Sequence, residues 1–196
     1  MAGFEIAYDT VLRHEGGYVQ DPDDRGGETY KGISRIHHPG WPGWERIDTA
    51  RAGTEFPQSL NNDATLQEQV HGFYKEYYWD RMLGDDIPDQ DIATEVFDTG
   101  VNMGLRRAVR YLQEAINLLD RKPPEEGIAV DGWLGDKTIR ALRRNLRMDE
   151  SSEFVMRLVN ILQGYRYIEI MRQQPVQERF ARGWLRRVRL RNSGSE

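Results

Sequence analysis

The chain has 196 residues, of which 38% are apolar and 10% aromatic, which is enough to bury a core and excludes a disordered chain. It contains no cysteine, which excludes disulfides, thiolate metal sites and thiol nucleophiles. Residues 1–100 carry 8 basic and 20 acidic side chains, and residues 101–196 carry 19 and 12. The basic stretch RFARGWLRRVRLR indicates either attraction to an anionic polymer or a solvated helix face that offsets the acidic half, and we favour the second.

The sequence contains no transmembrane segment and no secretory signal of the usual kind. No run of about 18 apolar residues occurs, so a membrane-spanning helix is not expected. The N-terminal stretch MAGFEIAYDTVLRHE is amphipathic and acidic, without the basic start and apolar run of a signal peptide. We therefore expect synthesis in the cytoplasm.

The first predicted element is a helix over roughly residues 3–14. Its apolar side chains fall on one face, at spacings of three and four: Phe4, Ala7, Tyr8, Val11 and Leu12. Glu15 follows Val11 by four and would extend this face, and Gly16 and Gly17 are typical of a helix end.

The rest of the chain also favours helices. Residues 18–35 predict turns with a short hairpin, and residues 37–63, which include HHPGWPGW, predict a loop with little regular structure. Apolar spacing predicts further helices near 64–82, 91–101 and 105–119, a short one after VDGWLGDK, a long one through 154–168 and a last one ending near 188. The predicted class is mainly α (α+β), with a small hairpin or loop lobe beside a cleft.

The stretch HEGGYVQDPDDRGGETYKGI, residues 14–33, carries the chemistry. A carboxyl at the end of an apolar helix face is partly desolvated, which raises its pKa and suits a general acid. Hydrolysis of a glycosidic bond needs such an acid and a second carboxylate, for which Asp21, Asp23 and Asp24 are available. The simpler alternative is that Glu15 caps the helix or pairs with an arginine. A calcium loop is disfavoured, because the alternating ligands and closing Glu of an EF-hand are missing.

The same stretch resembles the N-terminal motif of glycoside hydrolase family 108, lysozyme-like N-acetylmuramidases of phage endolysins and secretion-associated bacterial enzymes. The matching residues are Glu15-Gly16-Gly17-Tyr18, Asp21-Pro22, Asp24, Gly26-Gly27, Thr29 and Gly32-Ile33. Tyr30-Lys31 departs from the pattern, where Asn-Tyr or a similar pair is expected.

The second half resembles the predicted peptidoglycan-binding region that normally follows this motif. The matching segments are FDTGVNMGLRRAVRYLQEAIN, VDGWLGDKTIRAL and GWLRRV. We expect a muramidase region over 1–90, a helical peptidoglycan-binding region over 91–190 packed with it as one lysozyme-like unit, and a loose tail over 191–196.

The resemblance implies that Glu15 is the catalytic acid. It favours Asp24 as the second carboxylate and Thr29 as a residue that holds a water, and an inverting reaction follows if that water lies between the carboxyls. Phage lysozymes of the wider superfamily have a similar Glu, Asp, Thr series, in which the Asp-to-Thr gap is one residue longer. The implied reaction cleaves the β-1,4 bond between N-acetylmuramic acid and N-acetylglucosamine, in phage-type lysis or wall remodelling.

Substrate contacts are expected from aromatic and polar side chains near this motif: Tyr18, Asp21, Trp41, Trp44, Tyr78 and Asn102. For Trp41 and Trp44, lining a cleft and packing in the core are equally good interpretations, whereas Tyr78 at a helical position favours the core. Asn102, between Gly100 and Gly104, would bind an acetamido group or cap a helix. Trp133 and Trp184 are interpreted as core anchors.

Two alternatives remain open: a lytic transglycosylase, which uses one acid and no water, and a non-catalytic wall-binding protein. A zinc amidase is disfavoured because the four histidines lack ligand spacing. We expect no cofactor, no nucleic acid and no membrane insertion. The partner would be the peptidoglycan glycan strand, reached by a monomer after release to the periplasm, with holin-assisted export as one route.

Overall fold

The computed structural model describes residues 2–12, 16–20, 27–120 and 126–189. These residues form eight α-helices and one three-stranded antiparallel sheet, which confirms the predicted mainly helical, lysozyme-like class. The chain divides into two compact units, Phe4–Arg81 and Met82–Glu196, the second of which includes Met1–Gly3. Among the described residues, no helix is long and apolar enough to cross a membrane.

The N-terminal unit opens with the predicted helix and a small sheet. Helix α1 spans Phe4–Leu12 and buries Phe4, Ala7 and Val11, which confirms the predicted face. Strands β1 (Tyr18–Gln20), β2 (Glu28–Tyr30) and β3 (Ile33–Ser34) follow in the spatial order β1-β2-β3. Lys31 and Gly32, with φ of 44° and 78°, make the tight two-residue turn between β2 and β3.

The predicted loop over 37–63 was wrong in part. It contains helix α2 (Gly43–Ala50) and a 3-10 helix, Gln58–Asn62. The helix forms because Trp44 and Ile47, three residues apart, are both buried, while Pro42 before it favours a helix start. The dense Pro, Gly and Trp composition around it concealed this short stripe.

Helix α3 spans Ala64–Tyr74, and one π-helical turn, Lys75–Trp79, continues it, which agrees with the predicted helix near 64–82. Asp63 caps the start of α3, since its carboxylate accepts a hydrogen bond from the Leu66 backbone N–H at 3.0 Å. Aromatic side chains join α1 to α3. The ring centroids of Phe4 and His71 are 5.0 Å apart, and those of Tyr8 and Tyr74 are 5.9 Å apart.

The C-terminal unit is a set of packed helices. They are α4 (Gln90–Met103), α5 (Leu105–Leu119), α6 (Asp136–Asp149), α7 (Glu153–Gln173), a 3-10 helix (Pro175–Phe180) and α8 (Ala181–Leu185). Gly104, with φ of 90°, separates α4 from α5. The core of the unit is formed where α5 and α7 pack on α4. Helix α6 has 14 residues, so the predicted short helix was too short.

The two tryptophans interpreted as core anchors differ. Trp184 is half-buried and stacks on Tyr167, with ring centroids 5.0 Å apart and planes 12° apart. Trp133 is 70% exposed, so its assignment to the core was wrong. It lies in a turn before α6 whose backbone is bonded to the Gln113 side chain, and its indole is outside.

Candidate active site

The predicted acid and its candidate partners, Glu15, Asp21, Asp23 and Asp24, lie outside the described residues. The structure describes what flanks them. Helix α1 ends at Leu12, and β1 begins at Tyr18. The acidic segment 21–26 connects β1 to β2.

A hairpin register holds the two ends of that segment together. Tyr18 faces Tyr30, Val19 faces Thr29, and Gln20 faces Glu28. Thr29 is also paired with Ser34 of β3, so it lies in the central strand and is half-buried. Thr29 therefore occupies a position that is fixed from both sides, and its role toward a water stays a prediction.

Glu28, the neighbour of Thr29, is the centre of an ion-pair cluster. Its carboxylate lies 3.2 Å from Arg35 Nε and also contacts Arg51, and its side chain is only 10% exposed. Both arginines also reach Asp48 of α2, at 2.8 Å and 3.6 Å. We call Glu28, Arg35, Asp48 and Arg51 the hairpin clamp, because they tie the sheet to α2.

Tyr18, a predicted substrate contact, belongs to the same region. Arg51 Nη2 donates to the Tyr18 hydroxyl at 2.8 Å, and that hydroxyl donates to Gln20 at 3.0 Å. The ring meets Phe56 edge-on at 4.8 Å. Burial raises the pKa of Tyr18, and Glu28 adds to the rise. Its contact with substrate stays a prediction, and its observed partners place it beside the clamp.

Trp41, Trp44 and Tyr78 are brought together around Phe73. The ring centroid of Trp41 lies 5.2 Å from that of Trp44 and 6.3 Å from that of Phe73, and the Tyr78 centroid lies 6.1 Å from that of Phe73. The indoles are 8% and 4% exposed, and the Trp44 Nε1–H donates to the His38 carbonyl at 2.8 Å. Packed in this way, Trp41 and Trp44 expose little surface to a sugar, which favours the interpretation that both are core residues. Tyr78 is half-buried and stacks on Tyr74.

Asn102 is in the other unit, in the last turn of α4. Its side chain is exposed, and its carbonyl accepts a hydrogen bond from the Tyr167 hydroxyl at 2.7 Å. The predicted bend between helices is confirmed at Gly104. The Asn102 amide lies at the surface, where it is bonded to Tyr167 of α7. Its role toward an acetamido group stays a prediction.

The C-terminal unit also buries a polar cluster that the sequence did not indicate. Glu95 is 4% exposed, and burial raises the pKa of its carboxyl from 4.5 to about 7, with nearby Asp98 adding to the rise. Thr99 donates to Glu95 at 3.4 Å, and Gln163 of α7 donates to Thr99 at 3.0 Å. Arg187 pairs with Asp98 at 2.6 Å. These contacts join α4, α7 and the chain beyond α8.

The described ranges hold no group of three or more His, Asp or Glu side chains that could bind a metal ion. His71 contacts the carboxylate of Glu5 at 3.0 Å, and His38 packs edge-on against Phe73. Burial lowers the pKa of His38. Both histidines therefore have structural neighbours.

Comparison with protein families decides the class. Residues 8–104 match the family described as "Glycosyl hydrolase 108", and the match includes the acidic segment, both hairpin strands and the clamp. The chain belongs to glycosyl hydrolase family 108. Residues 107–189 match a second family, described as "Predicted Peptidoglycan domain". This family-108 chain is thus a glycoside hydrolase that carries a peptidoglycan domain, which marks it as a peptidoglycan hydrolase.

Comparison with solved structures agrees on the fold. The family-108 chain is similar to the protein titled "Structure of Brucella abortus SagA", with 23% identity over 97% of each chain and a TM-score of 0.58. A comparison with curated proteins gave no match. The predicted division at residues 90 and 91 stays a prediction.

Sequence reasoning on the family-108 region missed the clamp. Glu28 stands directly before the motif Thr29, but its partner Arg51 lies at the end of α2, where the sequence predicted a loop, and its partner Arg35 follows the short strand β3. The signal that could have found them is the Trp44 and Ile47 spacing, because a helix there brings Asp48 and Arg51 to one end. Trp133 was wrongly assigned to the core for a different reason: the sequence of a turn does not show whether an apolar ring faces the core or the solvent.

Proposed function

We propose that this family-108 hydrolase is an N-acetylmuramidase that cleaves the β-1,4 bond between N-acetylmuramic acid and N-acetylglucosamine. The observation that carries the proposal is the match of residues 8–104, which contains Glu15, Asp24 and Thr29 in the spacing of the motif. The described geometry supports it, because Thr29 lies in a central strand and the clamp ties that strand to α2.

In the proposed reaction, Glu15 donates a proton to the leaving glycosidic oxygen. Asp24 acts as general base for a water that attacks the anomeric carbon from the opposite face, and the Thr29 hydroxyl orients that water. This arrangement inverts the anomeric centre. Proton NMR of the first product, taken before mutarotation, tests it: the α-anomer is expected from the β-linked substrate, and a β-anomer would exclude inversion.

Glu15→Gln is the direct test of the acid. The amide keeps the shape of the side chain but has no acidic proton to donate, so hydrolysis of purified sacculi should fall by about a thousandfold or more. Glu45→Gln, at an exposed position of α2, makes the same chemical change and should retain full activity. Comparable wall clearing by Glu15→Gln would remove Glu15 from the mechanism.

The second carboxylate is resolved by three matched variants. Asp24→Asn should abolish most hydrolysis, while Asp23→Asn, one residue away, should leave it largely intact. Asp21→Asn should raise KM more than it lowers kcat, because we assign that residue to substrate contact. A loss confined to Asp21→Asn or to Asp23→Asn would move the base to that position.

A lytic transglycosylase is the rival enzymatic function, and a wall-binding protein without catalysis is the rival of another class. The match to a glycosyl hydrolase family favours hydrolysis over both. We further propose that the chain acts as a monomer on the cell wall after synthesis in the cytoplasm, in phage-type lysis with holin-assisted export or in wall remodelling. Retention of the protein in cells without a holin, and its release on holin expression, would support the lysis setting.

A further inference from the structure

Trp133 is the most exposed large apolar side chain of the described residues, with 70% of its surface accessible. An indole in water loses the favourable burial that tryptophan normally gains, so its position requires an explanation. A loose surface loop would be one. The backbone around Trp133 argues against that.

The turn that presents Trp133 is held by one buried side chain. Gln113 of α5 is 1% exposed; its amide nitrogen donates to Asp131 Oδ1 at 2.9 Å and to the Trp133 carbonyl at 3.0 Å. Its amide oxygen accepts from the Gly132 backbone N–H at 2.8 Å. Asp131 Oδ1 also accepts from the Trp133 backbone N–H at 2.9 Å. The indole therefore projects from a fixed base.

The same turn lies directly on α5. A Cβ added to Gly132 would come within 2.5 Å of Arg106 Cγ and 3.1 Å of Arg110 Cγ, and φ is +81° at this glycine. Only glycine fits both the backbone angle and the close approach. The exposed ring is thus placed a fixed distance from the arginines of α5.

Those arginines line a groove of about 360 Å³ beside the turn, whose wall residues are Arg106, Arg107, Arg110, Tyr111, Glu114 and Val130. Three cations face the carboxylate of Glu114, and Asp131 in the adjoining turn acts on Arg106, so the groove keeps a net positive charge. Arg106 and Arg107 donate to backbone carbonyls, and no carboxylate of the described ranges forms an ion pair with any of the three. The groove can therefore accept anionic groups from a ligand.

We propose that Trp133 and the arginine groove form a wall-binding subsite, in which the indole stacks on an N-acetyl sugar and the arginines bind carboxylates of the lactyl groups or peptide stems. This deepens the proposed function and rests on it for the nature of the ligand. Two features select peptidoglycan: an apolar sugar face for the ring, and carboxylates at regular intervals for the cations. The turn and most of the groove lie within the matched peptidoglycan domain, 107–189.

The test is co-sedimentation with purified insoluble sacculi, using the full chain with Glu15→Gln to limit cutting. Trp133→Ala should weaken binding by about tenfold, and Trp133→Phe should restore most of it. The double variant Arg107→Gln/Arg110→Gln should weaken binding several-fold at low salt, with the difference vanishing near about 1 M salt. The matched controls are Tyr165→Ala, an aromatic residue 56% exposed on α7, and Arg186→Gln after α8.

Two further ligands separate the halves of the subsite. Chitin offers the sugar faces without carboxylates, so Trp133→Ala should weaken its binding and the arginine variant should not. Sacculi with amidated carboxyls should behave like chitin. Binding of Trp133→Ala to sacculi within twofold of the parent, or an equal loss in Tyr165→Ala, would overturn the subsite.

The experiments distinguish failure of the subsite from failure of the proposed function, because binding and cleavage are measured separately. The proposed function is measured on the parent with Glu15 intact, by the release of reducing ends from sacculi, whereas the subsite is measured by the binding of its variants. If the parent releases no reducing ends from sacculi, the muramidase proposal fails even where Trp133 carries binding. If the parent cuts and Trp133→Ala binds normally, only the subsite fails.

Discussion

The hairpin clamp of the N-terminal unit and the Asp98–Arg187 pair of the C-terminal unit differ in how far their arginines are exposed. In the N-terminal unit the hairpin clamp lies near the surface, with the side chains of Arg35 and Arg51 32% and 35% exposed. In the C-terminal unit the Asp98 and Arg187 side chains are 10% and 9% exposed, and Glu95 is buried beside them. An ion pair near water contributes little to folding, whereas breaking a buried one is costly.

This contrast indicates a division of labour. The clamp holds the strand that carries Thr29 against α2, so its loss should affect hydrolysis more than stability. The buried cluster joins α4 and α7 to the chain beyond α8, so its loss should affect stability more than hydrolysis. Four variants test that contrast, and their expected effects on the free energy of unfolding decrease from Arg187→Ala to Glu28→Gln.

Arg187→Ala should have the largest effect. It leaves the Asp98 carboxylate buried without its arginine, which should lower the free energy of unfolding by about 3–5 kcal/mol. Urea denaturation followed by circular dichroism measures it. Arg186→Ala, one residue away and exposed, is the control. A loss below about 1 kcal/mol in Arg187→Ala would show that this cluster does not hold the unit together.

Glu95→Gln should remove a pH dependence. The folded protein keeps the Glu95 proton up to about pH 7, while the unfolded chain releases it near 4.5. Its stabilising contribution is therefore complete below about pH 4.5 and is lost as the pH rises to about 7, a difference of about 3 kcal/mol. The wild type should lose that amount relative to Glu95→Gln between pH 4.5 and pH 8. The exposed Glu114→Gln should give a curve parallel to the wild type.

Tyr30→Phe tests the buried part of the N-terminal unit. The Tyr30 hydroxyl donates to the Leu60 carbonyl at 3.3 Å and accepts from Gln67 Nε2 at 2.9 Å. Its removal should lower the free energy of unfolding by about 1 kcal/mol, since the two partners keep a hydrogen bond to each other at 2.7 Å. A loss above about 3 kcal/mol, measured by urea denaturation, would place this unit's main polar support here rather than at the surface.

Glu28→Gln should have the smallest effect on stability and a large one on activity. With arginines a third exposed, the change in unfolding free energy should stay below about 1 kcal/mol. Hydrolysis of sacculi should still fall by about tenfold or more, because the hairpin beside Thr29 loses its anchor to α2. Asp48→Asn touches the same arginines from a half-exposed position and should cost less. Full activity in Glu28→Gln would show that the clamp does not contribute to hydrolysis.

The strong basic excess of residues 101–196 nearly disappears when the charges are counted by compact unit. Divided at residue 100, the halves are strongly acidic and basic, but divided at the boundary of the compact units, Phe4–Arg81 carries 8 basic and 14 acidic side chains and residues 82–196 carry 19 and 18. Acidic residues of α4 thus share a unit with the basic end, and Asp98 pairs with Arg187. This supports the simpler of the two interpretations of the basic stretch.

Long periodic elements were predictable from the sequence. Helices α1 and α5 follow from apolar spacing, because the face that the spacing marks is buried in each. The helix predicted through 154–168 is present as α7, but the predicted face was wrong: Phe154, Ile161, Tyr165 and Ile168 are exposed, and Val155, Val159 and Tyr167 are buried instead. Helix α4 buries every residue from 92 to 100, so it has no single apolar stripe. Helix α2 was not found, since eight residues give only two buried positions three apart within a Pro and Gly context. The motif around Glu15 and Thr29 was recognised by its residue types and spacing, which carry chemistry directly.

Side-chain partners were harder to predict than elements. The clamp needs Glu28 of β2 to meet the end of α2, and Arg51 lies 23 residues further along the chain. Glu95 lies on an apolar helix face where its burial depends on α7. Trp133 reversed the expectation for a tryptophan, because Gln113 and Gly132 fix the turn and leave the ring outside.

The central claim is that this family-108 chain adds water across the glycosidic bond of the wall. Mass spectrometry of borohydride-reduced digests of purified sacculi, made in ¹⁸O-labelled water, tests it most directly. We predict fragments ending in N-acetylmuramitol that carry one ¹⁸O, and their loss in Glu15→Gln. Fragments with an anhydro terminus, which borohydride does not reduce and which carry no label, would contradict hydrolysis. Fragments ending in reduced N-acetylglucosamine would contradict the assigned bond.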